Sequence, residues 1–386
     1  MSKVELIATA AFGLEAIVAH ELRKLGYEEL KVENGRVSFM ADIAAIPRCN
    51  LWLRTADRLL IKMGEFEART FDELFEKTKA LNWNDWIPGD AQFPVEGKSI
   101  KSQLFSVPDC QAIVKKAIVE KMKQKHTIDW FPETGPRYRV EVALLSDRAT
   151  LTIDSSGAGL HKRGYRKLSG DAPLKETLAA ALIDISRWKP DRALIDPFCG
   201  TGTIPIEAAL IGRNIAPGLG RVFVAESWPQ IPARIWKQHR DEARDMIVQD
   251  QPLGIRGIDI DPNAIKLANY HAKEAGINNL ISFHQGEARD LNSRYKYGYL
   301  ISNPPYGERL SERDEVERLY REMTPVFQRL DTWSFYILTS HPSLEKLINR
   351  KSSKRRKVYN GRIQCTYYQF YGPKPEKLLG PFARPE

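Results

Sequence analysis

Four consecutive residues, Asn303, Pro304, Pro305 and Tyr306, follow a short apolar run, Tyr299-Leu-Ile-Ser302. A run of this length is a buried strand that delivers its last residues to a turn. The Asn303 side-chain oxygen and the Pro304 carbonyl are two acceptors on a backbone stiffened by two prolines. Together they can hold both hydrogens of a planar amine. Such a nitrogen, guanine N2 for example, has its lone pair delocalised into the ring. It becomes a nucleophile only when its hydrogens are held and it begins to pyramidalise. Positioning is then the main catalytic term, able to supply roughly 7–11 kcal/mol. Tyr306 offers a flat wall for an extruded base. Residues 303 to 306 contain no cysteine, which excludes attack on a pyrimidine ring by a thiolate from this loop.

A second stretch, Ala193 to Ala209, has the apolar end of a strand, an acid at Asp196, a turn through Gly200 and Gly202, and an apolar helix start. A dinucleotide fingerprint needs a third glycine where Pro205 stands, and the Gly-Lys-Ser/Thr of a phosphate loop is absent. An acid beside a glycine turn suits a ligand with hydroxyl and ammonium groups, such as S-adenosylmethionine. The segment Asp196-Pro-Phe-Cys-Gly-Thr-Gly-Thr203 resembles motif I of class I methyltransferases, in the form found in enzymes that methylate RNA. The resemblance implies cofactor contacts at Asp196, Phe198, Gly200, Thr201 and Gly202, with Pro173, in the first turn of the preceding helix, bordering the methionine end. Two further strand ends carry acids. Asp259 is placed to accept both ribose hydroxyls, while Asp261 reads as a helix cap before Pro262. The resemblance also implies that Glu287, longer than the aspartate usual in the family, receives the adenine amino group, and that Asn303 borders the same ligand.

The elements that must position these residues are legible in outline. The chain has 386 residues, 42% hydrophobic and 28% charged, enough for two or three domains. Its four cysteines are scattered singly, which fits a reducing cytoplasm and argues against a zinc site, so no metal is expected. No apolar run reaches the length of a membrane span. A formal net charge of +9 leans towards a polyanionic partner. Residues 1–65 show the order β-α-β-β-α-β of a ferredoxin-like module, with Asn34-Gly35 as a hairpin turn. Helices are expected from Phe71 to Trp83 and from Asp109 to about Lys125, and paired strands from Tyr138 to Leu145 and Ala149 to Ile153. After residue 170, strands and helices alternate and finish in a hairpin turning at Asn360-Gly361.

The stretch Leu151 to Arg166 looks like the closing strand and exit loop of a THUMP domain, an RNA-binding module. That likeness implies phosphate contacts from Lys162, Arg163 and Arg166, with Tyr165 stacking on a base. The basic run 350–357, with Arg355 and Arg356, could also grip RNA, or be a solvated loop. Gly212 to Pro229 is similar to a segment of bacterial 23S rRNA guanine-N2 methyltransferases; its residues suggest only a loop and helix over the sheet edge. The expectation is an α/β fold: a class I, Rossmann-like methyltransferase with a seven-stranded sheet (171–386) behind a ferredoxin-like module (1–65), a THUMP domain (66–155) and a linker (156–170). Methylation of guanine N2 in 23S rRNA, naked or in a large-subunit assembly intermediate, is the expected activity. The alternatives are a tRNA guanine-N2 methyltransferase, a release-factor glutamine methyltransferase, and a non-catalytic RNA-binding assembly protein. Oligomeric state is not legible.

Overall fold

The computed structural model describes residues 3–126, 130–168, 174–307 and 310–375. Pro173 lies outside them. The front half runs β1 (Val4–Ala10), α1 (Glu15–Lys24), β2 (Leu30–Glu33), β3 (Arg36–Ala41), α2 (Ala45–Trp52), β4 (Ala56–Glu67), α3 (Phe71–Lys79), β5 (Val95–Ile100), α4 (Val107–His126), β6 (Arg139–Leu145) and β7 (Arg148–Asp154). These strands form one seven-stranded sheet in the order β2-β3-β1-β4-β7-β6-β5. The twelve-residue β4 joins its two parts: Leu6 to Ala10 of β1 pair with its first half and β7 with its second. The β2–β3 hairpin turns at Asn34-Gly35, with Gly35 at φ 76°.

The catalytic half adds α5 (Glu176–Ser186), β8 (Leu194–Asp196), α6 (Thr203–Gly212), α7 (Ala233–Asp245), β9 (Ile255–Asp259), α8 (Pro262–Glu274), β10 (Ile281–Gln285) and β11 (Tyr299–Ser302). It ends with α9 (Leu310–Glu322), α10 (Thr324–Arg329), β12 (Ser334–Thr339), α11 (Leu344–Leu347), β13 (Lys354–Asn360) and β14 (Ile363–Phe370). The second sheet has the order β10-β9-β8-β11-β12-β14-β13, parallel except that β14 inserts antiparallel between β12 and β13. Leu194, Ile195 and Asp196 are all buried because the central strand is covered on both faces. Two cores flank this sheet, one with α5 and α6 and one with α9 and α10. Among the described residues, no helix is long and apolar enough to cross a membrane.

Three local expectations are corrected. The last hairpin turns at Gly361-Arg362, one residue late, because Asn360 pairs with Ile363 and is the final residue of its strand. The basic run is no loop beyond Ser353, since Lys354 to Lys357 lie in β13. The segment 212–229 does more than cover an edge. Phe223, Ala225, Trp228 and, just beyond it, Ile231 and Trp236 belong to the front half's core. Trp228 stacks on Tyr138 with centroids 4.4 Å apart, and its indole N–H donates to the Arg137 carbonyl at 2.9 Å. The Arg221 guanidinium donates to the carbonyls of Gly159, Lys162, Ser156 and Ala158.

Candidate active site

The carboxyl ends of β10, β9, β8 and β11 stand side by side, which is where ligands settle in an open parallel sheet. There a cleft of about 890 Å³ opens, lined by Pro197 and Phe198 after β8, Asp259 and Ile260 at the end of β9, Glu287 and Ala288 after β10, and Asn303 to Tyr306 after β11. Asn360 and Ile363 of the last hairpin complete its wall.

Asp259 accepts the Gly200 amide on one oxygen at 2.8 Å and the Asp261 amide on the other at 3.0 Å. Each oxygen keeps a second lone pair for a hydroxyl donor. Asp261 caps α8 by accepting the Asn263 amide at 2.8 Å. Glu287 reaches the cleft beside Arg289, 2.5 Å away, and Arg289 is shared with Glu322. Ile260, an apolar residue left 65% exposed in this wall, and Ala288 offer faces for a flat ring. Sequence reasoning passed over Ile260; its signal was an apolar residue between two acids.

Asp196, Gly200, Thr201 and Gly202 are not in the cleft wall. Asp196 lies beneath it, 1% exposed, accepting the Ser302 hydroxyl at 2.6 Å and the Phe198 amide at 3.1 Å. Burial pushes its carboxyl up to about 7, against the pull of those two donors, and the nearby Asp259 charge pushes the same way. It thus ties the end of β8 to the end of β11. Gly202, at φ 85°, is required for packing: a Cβ there would sit 2.9 Å from the Phe283 ring and 3.0 Å from Ala268. Cys199 is buried and its thiol is held far above the usual range by burial, so it is filler, as expected of a small apolar residue.

In the loop after β11, the Tyr306 hydroxyl donates to Asn303 Oδ1 and receives the Asn360 side-chain amide at 3.4 Å. The Pro305 carbonyl accepts the Tyr320 hydroxyl at 2.7 Å, and that hydroxyl also meets Thr339 Oγ1 at 2.9 Å. The loop is therefore fastened to β12 and to the last hairpin. Asn303 Oδ1 keeps one lone pair, and among the described residues nothing donates to the Pro304 carbonyl. From sequence Asn360 reads only as a turn residue and Tyr320 is not singled out, because nothing local marks a partner 54 or 15 residues away.

The expected RNA contacts are rearranged. Arg163, 4% exposed, is ion-paired with Glu207 at 3.3 Å, and Tyr165, 5% exposed, donates to the same carboxylate at 3.3 Å. Arg166 pairs with Glu176 at 3.2 Å and donates to the Leu174 carbonyl and, by its shortest contact, to Thr203 Oγ1. Arg163 and Tyr165 are buried with internal partners and cannot reach a phosphate or a base, and Arg166, half-buried, is taken up by partners of its own, so these three hold the linker against the catalytic half. His271 completes the latch, with one ring nitrogen 3.1 Å from the Thr201 carbonyl and the other 3.1 Å from that of Leu168. Lys162 stays exposed. Arg355 is exposed but paired with Glu345, and Arg356 donates to the Gly13 carbonyl at 2.8 Å, fastening β13 to the front half. Among the described residues, no group of three His, Cys, Asp or Glu is placed to hold a metal ion.

Comparison with known proteins agrees with this architecture. Residues 163–369 match the RMKL-like methyltransferase domain, residues 5–60 the RlmL ferredoxin-like domain, and residues 68–154 the THUMP domain. The putative RNA methyltransferase YpsC of Bacillus subtilis is 54% identical over 96% of this chain and 97% of its own. The ribosomal RNA large subunit methyltransferase K/L of Syntrophotalea carbinolica is 35% identical over 95% of this chain, which spans about half (53%) of that longer protein. The solved structure of SMU.472, a putative methyltransferase complexed with SAH, superposes with a TM-score of 0.93 at 45% identity, covering 97% of this chain and all of that one. With a THUMP domain and an RlmL-type ferredoxin-like domain in front, the chain belongs to the family of RMKL-like, S-adenosylmethionine-dependent RNA methyltransferases.

Proposed function

We propose that this chain methylates the exocyclic N2 amine of a guanine in 23S rRNA, in the cytoplasm, with residues 1–65 and 66–155 binding the RNA and 171–386 doing the chemistry. The observation that carries the reading is the loop after β11, where Asn303 and Pro304, whose side-chain oxygen and carbonyl remain available, line a cleft that also holds Asp259 and Glu287. The cleft suits the cofactor: Asp259 and Glu287 stand on successive strand ends, acceptors for a diol and an amino group, and Ile260 and Ala288 are apolar. Asp259 would hold the ribose and Glu287 the adenine, with the turn from Asp196 to Gly202 shaping the floor. The cofactor supplies an electrophilic methyl on a sulfonium.

The chain's own residues then have positioning work. Asn303 and Pro304 hold the two amine hydrogens and aim the nitrogen lone pair at the methyl. Tyr306 fixes the Asn303 amide through its hydroxyl and presents its ring to the base. Pro305, held by Tyr320, keeps the loop from swinging. The proton is released after the N–C bond forms, when the nitrogen is cationic and strongly acidic, so no matched general base is needed. The large-subunit name of the K/L relatives favours 23S rRNA over tRNA. The front half disfavours a release-factor glutamine, and the available acceptors disfavour a non-catalytic assembly protein.

The test is transfer from labelled S-adenosylmethionine to unmodified 23S rRNA, tRNA and release factor, followed by nucleoside analysis. N2-methylguanosine in 23S rRNA is expected. Asn303→Ala should lower kcat by on the order of 10²–10³, as removal of a single preorganised hydrogen-bonding group does elsewhere, while cofactor affinity changes little. Label in tRNA alone, on adenine N6, or on protein would overturn the assignment.

A further inference from the structure

Folding leaves the Phe12 side chain 52% exposed, on the four-residue loop between β1 and α1. The loop itself is not loose. The Glu15 carboxylate accepts the amides of Gly13 and Gly35, each at 2.9 Å, and Arg356 donates to the Gly13 carbonyl. Gly13 has φ 89°, and a Cβ there would lie 3.0 Å from the Lys357 carbonyl, so only glycine brings the loop this close to the edge of β13. An exposed aromatic ring is thus held rigidly at the seam between the two halves.

What it meets there is informative. The Phe12 ring packs edge-on against Tyr359, with centroids 5.8 Å apart and planes at 80°, and the Lys357 ammonium lies 5.5 Å from the Tyr359 ring. The next residue, Asn360, and its strand partner Ile363 already belong to the cleft wall. From Lys354 to Gln364 the hairpin carries Lys354, Arg355, Arg356, Lys357 and Arg362 and no acid. Arg355 is paired with Glu345, Arg356 is engaged by Gly13, and the one acid beside the loop, Glu15, is turned to two backbone amides, which leaves Lys357 as the cation beside the rings. A small aromatic platform with a lysine beside it is the usual complement of a single nucleobase and its phosphate.

We propose that Phe12, Tyr359 and Lys357 form a subsite for one unpaired RNA nucleotide beside the target base, the base stacked on the exposed Phe12 ring with Tyr359 bracing that ring edge-on, and the phosphate on Lys357. The subsite rests on the reading of the substrate as RNA and extends it. Both halves build it, so a bound strand spans the seam at the rim of the cleft. It also supplies a contact surface where Arg163, Tyr165 and Arg166 do not.

The experiment is equilibrium binding of a fluorescein-labelled single-stranded 12-nucleotide oligoribonucleotide to the full chain, by anisotropy, over a series of salt concentrations. Phe12→Ala should weaken binding about tenfold, the loss typical of one stacked base, and Phe12→Tyr should restore it. Lys357→Ala should reduce the dependence of log Kd on log salt by about one contact. Phe12 is exposed, so its variants should fold, and unchanged S-adenosylmethionine affinity verifies that they do. Binding by Phe12→Ala equal to wild type, an equal loss on a perfect duplex, or no binding of the oligonucleotide by wild type would each overturn the subsite. Phe12-dependent binding without methyl transfer to any RNA would leave the subsite standing and remove the proposed function instead.

Discussion

At the scale of single residues, Asp196 shows how one group serves geometry and chemistry at a cost in stability. Its folded-state pKa of about 7 lies above the ordinary 3.8, chiefly through burial. Below about pH 4 the carboxyl is protonated in both folded and unfolded chains and costs nothing. Between about pH 4 and pH 7 the unfolded chain gives up its proton and the folded one keeps it, so stability falls as pH rises, and above about 7 the penalty is constant. Asp196→Asn, which can still accept from Ser302 and Phe198, should therefore gain in Tm over wild type as pH is raised from 4.5 to 7, then keep a fixed lead. We further expect S-adenosylmethionine to bind the variant about tenfold more weakly, the exchange of stability for function common at such sites. Calorimetry across pH and cofactor titration at pH 8 check the two halves; a lead that does not change with pH would refute the first. The acid at the strand end was legible in the sequence, as were Asp259, Asn303 and the helix-capping role of Asp261. The burial of Asp196 was not, because its partner Ser302 is 106 residues away on another strand.

Among elements, the linker gives the sharpest lesson. Its string of Lys, Arg and Tyr carries the signature of an RNA contact, but charge on a segment says nothing of where its counter-charges lie. Glu176 opens α5 and Glu207 sits inside α6, both almost wholly buried, and each gains its partner only when the sheet brings those helices under the linker. Arg163→Met would leave Glu207, with no exposed side-chain surface, without its cation. Stripping one partner from such a buried pair costs about 3–5 kcal/mol, measurable by denaturant unfolding. The same variant should leave the salt dependence of RNA binding unchanged; a slope reduced by one contact would return Arg163 to the interface. Arg166→Ala acts nearer the cofactor, since its partner Thr203 opens α6 directly after the glycine turn. It should weaken S-adenosylmethionine binding several-fold without altering the affinity for RNA. Elements whose own sequence sets their ends, such as the Asn34-Gly35 hairpin and α8 behind Asp261-Pro262, were placed correctly. The final hairpin slipped by one residue because Asn360 is recruited by Tyr306, a tertiary bond that turn chemistry does not anticipate.

For the whole molecule, the question is whether the two halves behave as one body. The front half's core is finished by residues that the chain supplies only after it has built the first strand of the second sheet: Phe223, Trp228 and Trp236 are 1%, 1% and 3% exposed and pack into it. Phe223 and Trp236 stack on each other at 5.5 Å, Trp228 stacks on Tyr138, and Gln230 receives the Tyr138 hydroxyl at 2.8 Å. Arg221 binds four linker carbonyls from the same segment. The front half therefore lacks part of its own interior without the catalytic half, and the seam that carries Phe12 is held in register with the cleft. Trp228→Ala removes the largest of these contacts, a loss of about 3–5 kcal/mol for a buried tryptophan. Because that loss falls on the connection between halves, it should do more than lower Tm. The full chain is expected to melt in a single calorimetric transition and the variant in two, with the front half first, while S-adenosylmethionine binding at 25 °C stays close to wild type. Methyl transfer to RNA should fall by more than cofactor binding does, since the distance from the RNA-binding surface to Asn303 is what the segment fixes. Two transitions already in the wild-type chain would show that the segment packs against the front half without coupling it to the catalytic one.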